Sequence, residues 1–281
     1  MPNTPFCFLH IPRTAGTTLN VILNGNFEPD ETLSLYSDKD FKECRTLSED
    51  VLAKIKLIQG HIILQSYDPP RIYSRDVRAF TFLREPVSRL ESEYHFLGTW
   101  KDSHMFAVIH ENKMSFRDYI TSENKYVVYK GKNFMTRALS GHAITSDATG
   151  EKALSAAKRN LEQQFAFFGI QELFNESLVM LAKWMGLRNI LYEKRNVLEK
   201  ARRQPLSEED RGIAAAYNKL DIELYAFALP LFKQRLAQGG EVLARDIKRF
   251  QFLNQKIQNV FNAINTREGV SASDGVWMPK S

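Results

Sequence analysis

The chain has 281 residues, 43% of them apolar and 25% charged, with a formal net charge of +5 and a pI of about 9.1. That composition is that of a soluble globular protein with room for one large α/β domain or two small ones. The basic excess is mild: it suits an anionic ligand and falls short of the dense Lys/Arg stripe of a nucleic-acid protein, so no nucleic-acid partner is expected. No apolar run reaches membrane-spanning length, and the N-terminus lacks the basic segment and long apolar core of a signal peptide. Two cysteines, Cys7 and Cys44, do not suggest a disulfide scaffold, and a reducing, cytoplasmic compartment is expected from them. Asn175-Glu176-Ser177 matches a glycosylation acceptor, a match that arises often by chance.

In chain order, Phe6 to Ile11 has the length and texture of a buried parallel strand, ended by Pro12. Arg13, Thr14, Ala15, Gly16, Thr17 and Thr18 form a small-residue loop, and Leu19, Ile22 and Leu23 begin a helix that Gly25 closes. Residues 26–50 read as loop, with a short helix from Glu49; Ile55 to Ile58 is a second strand, ending at Gln59-Gly60-His61. Asp68-Pro69-Pro70 is a turn. Val77 to Leu83 is a third strand, followed at Pro86 by a helix through Val87, Leu90, Tyr94 and Leu97. Short helices are expected around Phe106–His110 and Phe116–Ile120, then an irregular loop with Gly131 and Gly141. Ala153 to Gln163 reads as helix, Phe165 to Ile170 as a fourth strand, and Glu172 to Met185 as helix. Ser207 caps a helix that continues through Leu220, Leu224 and Leu229, with a kink at Pro230. Val242 to Ile264 is a long amphipathic helix of near-heptad spacing in which Asn254 resembles a register-setting residue. The expected organisation is a domain over 1–238, an amphipathic helix over 239–265 that packs on the domain or on a second copy, and a loose tail over 266–281.

Strands alternating with helices imply a central parallel sheet of about four to five strands flanked by helices, a P-loop-like three-layer fold with a helical C-terminal part. Ligands on such sheets bind at the carboxyl ends of the strands, and there Arg13, His61 and Arg84 converge. The first loop has the architecture of an anion site, because the first N–H groups of a helix lack intrahelical partners and carry positive potential. It lacks the Gly-Lys-Ser/Thr ending of a Walker A loop, and taken alone it reads equally as a plain strand–turn–helix corner.

Two motifs carry a resemblance. His10-Ile11-Pro12-Arg13-Thr14-Ala15-Gly16-Thr17-Thr18-Leu19 and Leu83-Arg84-Glu85-Pro86-Val87-Ser88-Arg89-Leu90-Glu91-Ser92-Glu93-Tyr94 together resemble the sulfotransferases that use PAPS (3′-phosphoadenosine 5′-phosphosulfate), with heparan sulfate 2-O- and 6-O-sulfotransferases and their bacterial relatives the nearest in pattern. Gln59-Gly60-His61, Asn133 to Gly141, Phe168 to Glu172 and Asn218 to Tyr225 extend the likeness over about residues 6–236. The resemblance implies a loop, Arg13 to Thr18, that holds the 5′-phosphosulfate, and a 3′-phosphate site at Arg84 and Ser92. It further implies His61 as general base and an O-sulfotransferase activity without a metal, with a hydroxyl acceptor, expected to be a saccharide. Arg13 stands where that family usually has lysine, keeping the charge and changing the contact geometry. Arg137 is a candidate nucleotide contact or a salt-bridge residue, His142 a backup base, and His10 a packed neighbour; His95, His104 and His110 have no metal-ligand spacing. The rival readings are a nucleotide phosphotransferase and a non-catalytic binder of anionic sugars or nucleotides.

Overall fold

The computed structural model describes residues 4–62, 76–101, 104–193 and 205–268; the Asp68-Pro69-Pro70 turn and the tail beyond residue 268 lie outside them. Five parallel strands form one sheet: β1 (Phe6–Leu9), β2 (Thr32–Leu35), β3 (Leu57–Gly60), β4 (Arg78–Leu83) and β5 (Phe165–Ile170), in the order β2-β3-β1-β4-β5. β1 is central because all four of its residues are apolar and buried, which suits a strand covered on both faces. The chain lays β2 and β3 to one side of it and β4 and β5 to the other, so the connections diverge beyond its carboxyl end.

Side chains alternate across the sheet, and each face has its own core. Cys7, Leu9, Ile58 and Phe168 pack under α8 (Phe134–Ser140), α9 (Asp147–Gln163) and a long C-terminal helix, through Met135, Leu139, Leu161, Leu224 and Phe232. Phe6, Phe8, Phe80 and Phe82 face the other way, against α1 (Gly16–Asn24) and α10 (Phe174–Met185). Phe8 and Phe80 are fully buried and stacked with centroids 5.0 Å apart, a contact that adds roughly 0.5–1.5 kcal/mol to the burial itself. A third, all-helical core joins α4 (Pro86–Leu97), α5 (His104–Glu111), α6 (Phe116–Thr121), α7 (Lys125–Gly131) and α11 (Glu208–Tyr217).

Several boundaries differ from the sequence reading. Residues 26–50 are not all loop: they hold β2, then α2 (Asp38–Cys44), whose capping box joins Ser37 and Asp40. The second strand begins two residues later than Ile55, because Ile55 closes α3 (Glu49–Lys54) with its N–H on the Leu52 carbonyl. The expected irregular loop with Gly131 and Gly141 contains α7 and α8, and α9 starts at Asp147 rather than near Ala153. Gly141 adopts φ 69°, the left-handed turn that ends α8. The helix from Ser207 breaks at Asn218, whose Oδ1 accepts the Asn133 N–H; it resumes as α12 (Lys219–Gln238), which runs on through Pro230. The last helix, α13 (Gly240–Glu268), buries Leu243, Ile247 and Phe250 beside α10. Asn254 does not face a partner helix: it is 3% exposed, and its Oδ1 accepts the Tyr192 N–H.

Asp221 ties α12 to the start of α8. Fully buried, it accepts from Met135 N at 3.1 Å, Thr136 N at 2.8 Å and the Thr136 hydroxyl at 2.8 Å. Asp221→Ala leaves these donors buried and unmatched, so we expect it to lower stability by about 3 kcal/mol or more, read from the urea midpoint at constant m-value. A change below about 1 kcal/mol would show that α8 does not depend on this tie.

Candidate active site

The loop after β1 is held in a strained conformation. Arg13 and Ala15 both have φ 69°, the left-handed region that residues with a Cβ rarely adopt. Such reversals turn successive N–H groups toward one side, the geometry of an anion-binding nest. Ala15 precedes α1 without a side-chain cap, and the first intrahelical bond runs from Leu19 N to Ala15 O, which leaves the N–H groups of Gly16, Thr17 and Thr18 without helical acceptors. No acidic residue lies in this first turn to satisfy them. Thr14 turns inward: it is fully buried and its hydroxyl donates to the Ile11 carbonyl at 2.7 Å, so it pins the loop. Thr17 is exposed at the mouth.

The structure brings the two separated motifs together. Arg13 Nε donates to the Ser92 hydroxyl at 3.1 Å, and its guanidinium lies 4.5 Å above the centre of the Phe96 ring. Arg84 Nη1 donates to the Arg13 carbonyl at 3.0 Å. Ser92 and Phe96 sit one turn apart on α4, whose start is fixed by Pro86 and by the Glu85 carboxylate accepting from Val87 N and Ser88 N. Arg84 Nε is buried without a hydrogen-bond partner. Its guanidinium pKa is lowered to about 10, first by burial, against the opposing pull of Glu172, and further by the charges of Arg13 and Arg89. Cations crowded together with an unmatched buried donor are suited to an anion.

His61 follows β3, its N–H bonded to the Leu35 carbonyl. Its ring lies 4.9 Å from His10 and 5.0 Å from Tyr36, centre to centre. His61 opens to solvent, and its pKa is lowered by the protein packed around it and by the Lys130 charge. His10 is 9% exposed and held well below the ordinary histidine value by burial, then by His61 and Arg13. Both rings are therefore neutral at pH 7 and can accept a proton or donate one N–H.

Arg137 has its contacts at the end of α7. Its Nε donates to the Lys132 carbonyl at 3.1 Å, a second nitrogen donates to the Tyr129 carbonyl, and the guanidinium lies over Tyr129 and Phe134, so it serves the end of α7. His142 lies past α8 in a separate open cleft of about 600 Å³ shared with Lys152 and Arg159 of α9. Sequence reasoning missed Tyr36, Asn20 and Phe96. The period-two alternation of Thr32-Leu33-Ser34-Leu35 was a signal for a strand that delivers Tyr36 to the same edge; nothing local marked the other two.

These features define a parallel α/β protein with an uncapped helix start and two arginines at the end of its central strand. A model of the galactose-3-O-sulfotransferase family matches residues 1–266, and the chain belongs to that family. It is 26% identical to galactosylceramide sulfotransferase of Bos taurus over 207 residues, 69% of this chain and 47% of that protein. It is 27% identical to the Homo sapiens galactosylceramide sulfotransferase over 192 residues, 64% of this chain and 44% of that one. Against galactose-3-O-sulfotransferase 3 of Mus musculus it is 24% identical over 213 residues, 72% of this chain and 48% of that protein. The chain thus spans just under half the length of the curated relatives it matches. A crystal structure of a mouse sulfotransferase complexed with PAP aligns over 93% of this chain and 89% of that one at 11% identity and TM-score 0.40, too slight a likeness to bear on the site.

The same relatives correct the cytoplasmic expectation, since galactosylceramide and galactose-3-O-sulfotransferases are Golgi-lumenal enzymes. Cys7 and Cys44 are both buried thiols; they act as small hydrophobes, and their number says nothing about a compartment.

Because folding depresses the pKa of His10 and His61, the unfolded chain binds protons that the folded one does not. Stability is then fully present above the unfolded value near 6.5 and falls as pH drops below it. We expect the urea midpoint to fall between pH 7 and pH 5, and to fall less steeply in His10→Gln; an identical pH slope in the variant would remove His10 as a source.

Proposed function

We propose that this chain is a PAPS-dependent O-sulfotransferase whose acceptor is a saccharide hydroxyl, of galactose type in line with the relatives' names. The observation that carries the reading is the joined pair of contacts, Arg13 to Ser92 and Arg84 to Arg13, which makes the loop and the β4–α4 junction one continuous cationic surface. A donor with anionic groups at both its 5′ and 3′ positions requires such a surface; a Walker-type nucleotide requires only the loop. The unmatched Arg84 Nε and the unpaired amides of α1's first turn fit those two groups. When bound, PAPS supplies the sulfuryl group and a phosphate leaving group.

The chain's own residues then divide the work. The N–H groups of Gly16, Thr17 and Thr18, with the Thr17 and Thr18 hydroxyls, hold the 5′ end, while Arg84 and Ser92 hold the 3′-phosphate. Arg13, which its stacking on Phe96 and its bond to Ser92 keep at the mouth, offsets charge that builds on the leaving oxygen. Neutral His61 takes the proton of the acceptor hydroxyl during in-line attack, a role that typically contributes 10²–10⁴-fold. Lysine at position 13 could carry the charge but has no planar face to stack on Phe96, which is how this chain accommodates arginine.

Two variants separate these roles in a labelled-donor assay with galactosides. His61→Ala is expected to lower transfer by roughly 10²-fold or more while PAP still binds. Arg84→Ala is expected to weaken both nucleotides, because the loop loses its tie, and to weaken PAPS by about tenfold or more beyond the loss for adenosine 5′-phosphosulfate, which lacks the 3′-phosphate. Full transfer by His61→Ala would remove His61 as base, and equal losses for both nucleotides would remove Arg84 from the 3′ site.

A further inference from the structure

His10 is buried at the end of β1, between the loop and the proposed base, and the transfer step as described does not use it. A Cβ on Gly16 would meet the His10 ring at 1.7 Å from Nε2, 2.1 Å from Cδ2 and 2.4 Å from Cε1. The imidazole therefore lies face-on across the glycine, Nε2 corner nearest, at the amino end of α1. Gly16 lacks a side chain because the histidine occupies that place. The ring's other nitrogen is engaged: Nδ1 lies 3.3 Å from the Tyr36 hydroxyl, and that hydroxyl accepts from Asn20 Nδ2 at 2.5 Å. With its oxygen already accepting, the phenol has its own proton to give, and Nδ1 is the acceptor within reach. The ring of a neutral histidine carries one N–H, and with the phenol donating to Nδ1 that N–H lies on Nε2. Among the described residues Nε2 has no hydrogen-bond partner.

We infer that His10 is a second contact to the group being transferred: Asn20 and Tyr36 fix its tautomer so that Nε2–H donates a hydrogen bond to an oxygen of the sulfuryl group at the mouth of the loop. The position supports this. Nε2 lies beside the amides of α1's first turn, which face the 5′ end, and the His10 ring is 4.9 Å from His61, which faces the acceptor. The sulfuryl group is the part of the donor that passes between those two. The inference rests on the transferase reading. It assigns Tyr36 and Asn20 as positioning residues, which act through His10. His10 is a donor and His61 an acceptor, so the two neighbouring rings have opposite tasks and do not substitute for each other.

Two measurements on the full chain test it. In the ligand-free protein, imidazole ¹⁵N shifts are expected to show His10 protonated at Nε2 and bare at Nδ1, with Tyr36→Phe mixing the tautomers; a proton on Nδ1 in the wild type would overturn the inference. In calorimetry without acceptor, His10→Phe, which keeps a flat ring over Gly16, is expected to bind PAPS about tenfold or more weakly and PAP within about twofold of wild type. His10→Gln, whose amide can place a donor near Nε2, is expected to recover most of the PAPS affinity. Equal changes for PAPS and PAP, or none, would reduce His10 to packing. Failure of the wild type to bind either nucleotide would instead overturn the transferase reading, and this inference with it.

Discussion

Arg84 donates to the carbonyl of Arg13, and the mouth of the sheet depends on that bond. The loop it holds contains two left-handed residues with side chains, Arg13 and Ala15, each costing roughly 1–2 kcal/mol. A hydrogen bond from a charged group returns about 1.5–3 kcal/mol, and the buried Thr14 hydroxyl on the Ile11 carbonyl about 1 more. The two sides nearly balance, so the strained loop persists because an arginine follows strand β4 beside it. The same arginine is left with a buried Nε that has no partner and with a cationic neighbour. A group that fixes the loop and also keeps an unmatched buried donor joins the architecture to its chemistry.

Helix α4 carries the second half of that arrangement. Ser92 and Phe96 lie on one of its faces, four residues apart, and together they hold the Arg13 side chain by a hydrogen bond and a ring face. Arginine at position 13 is therefore more than a charge-conserving change from lysine, since an ammonium has no planar face to stack on Phe96. The His10–Tyr36–His61 group lies on the other flank of the loop, delivered by β1, β2 and β3. One flank is cationic and fixed; the other is neutral at pH 7, because burial of His10 and the protein packed around His61 oppose protonation of the two rings.

Strand and helix identities were legible wherever one periodicity dominated. β1, β4 and β5 are apolar runs of the right length, and α4 and α10 show three- and four-residue spacing. β2 was not read, because a four-residue edge strand with Thr32 and Ser34 half out of the core resembles a polar loop. α7 and α8 were hidden by Gly131 and Gly141, which here end helices rather than mark a loop. The break at Asn218 depends on its pairing with Asn133, 85 residues away, which no local window contains. At the site, residues just past strand ends could be placed from the sequence: Arg13, His61 and Arg84. Arg137 could not, since its neighbours are set by the fold of α7 onto α8. The tautomer of His10 required Tyr36 and Asn20, which are distant in sequence from His10 and from each other.

The central claim is that one surface grips two anionic ends of a nucleotide, with Arg84 and Ser92 at the end that ATP lacks. Calorimetric titration of the full chain with PAP and with ATP at the same pH and salt tests it most directly. Tight binding of PAP with ATP weaker by about tenfold or more is the expected result; ATP binding as tightly as PAP would contradict it.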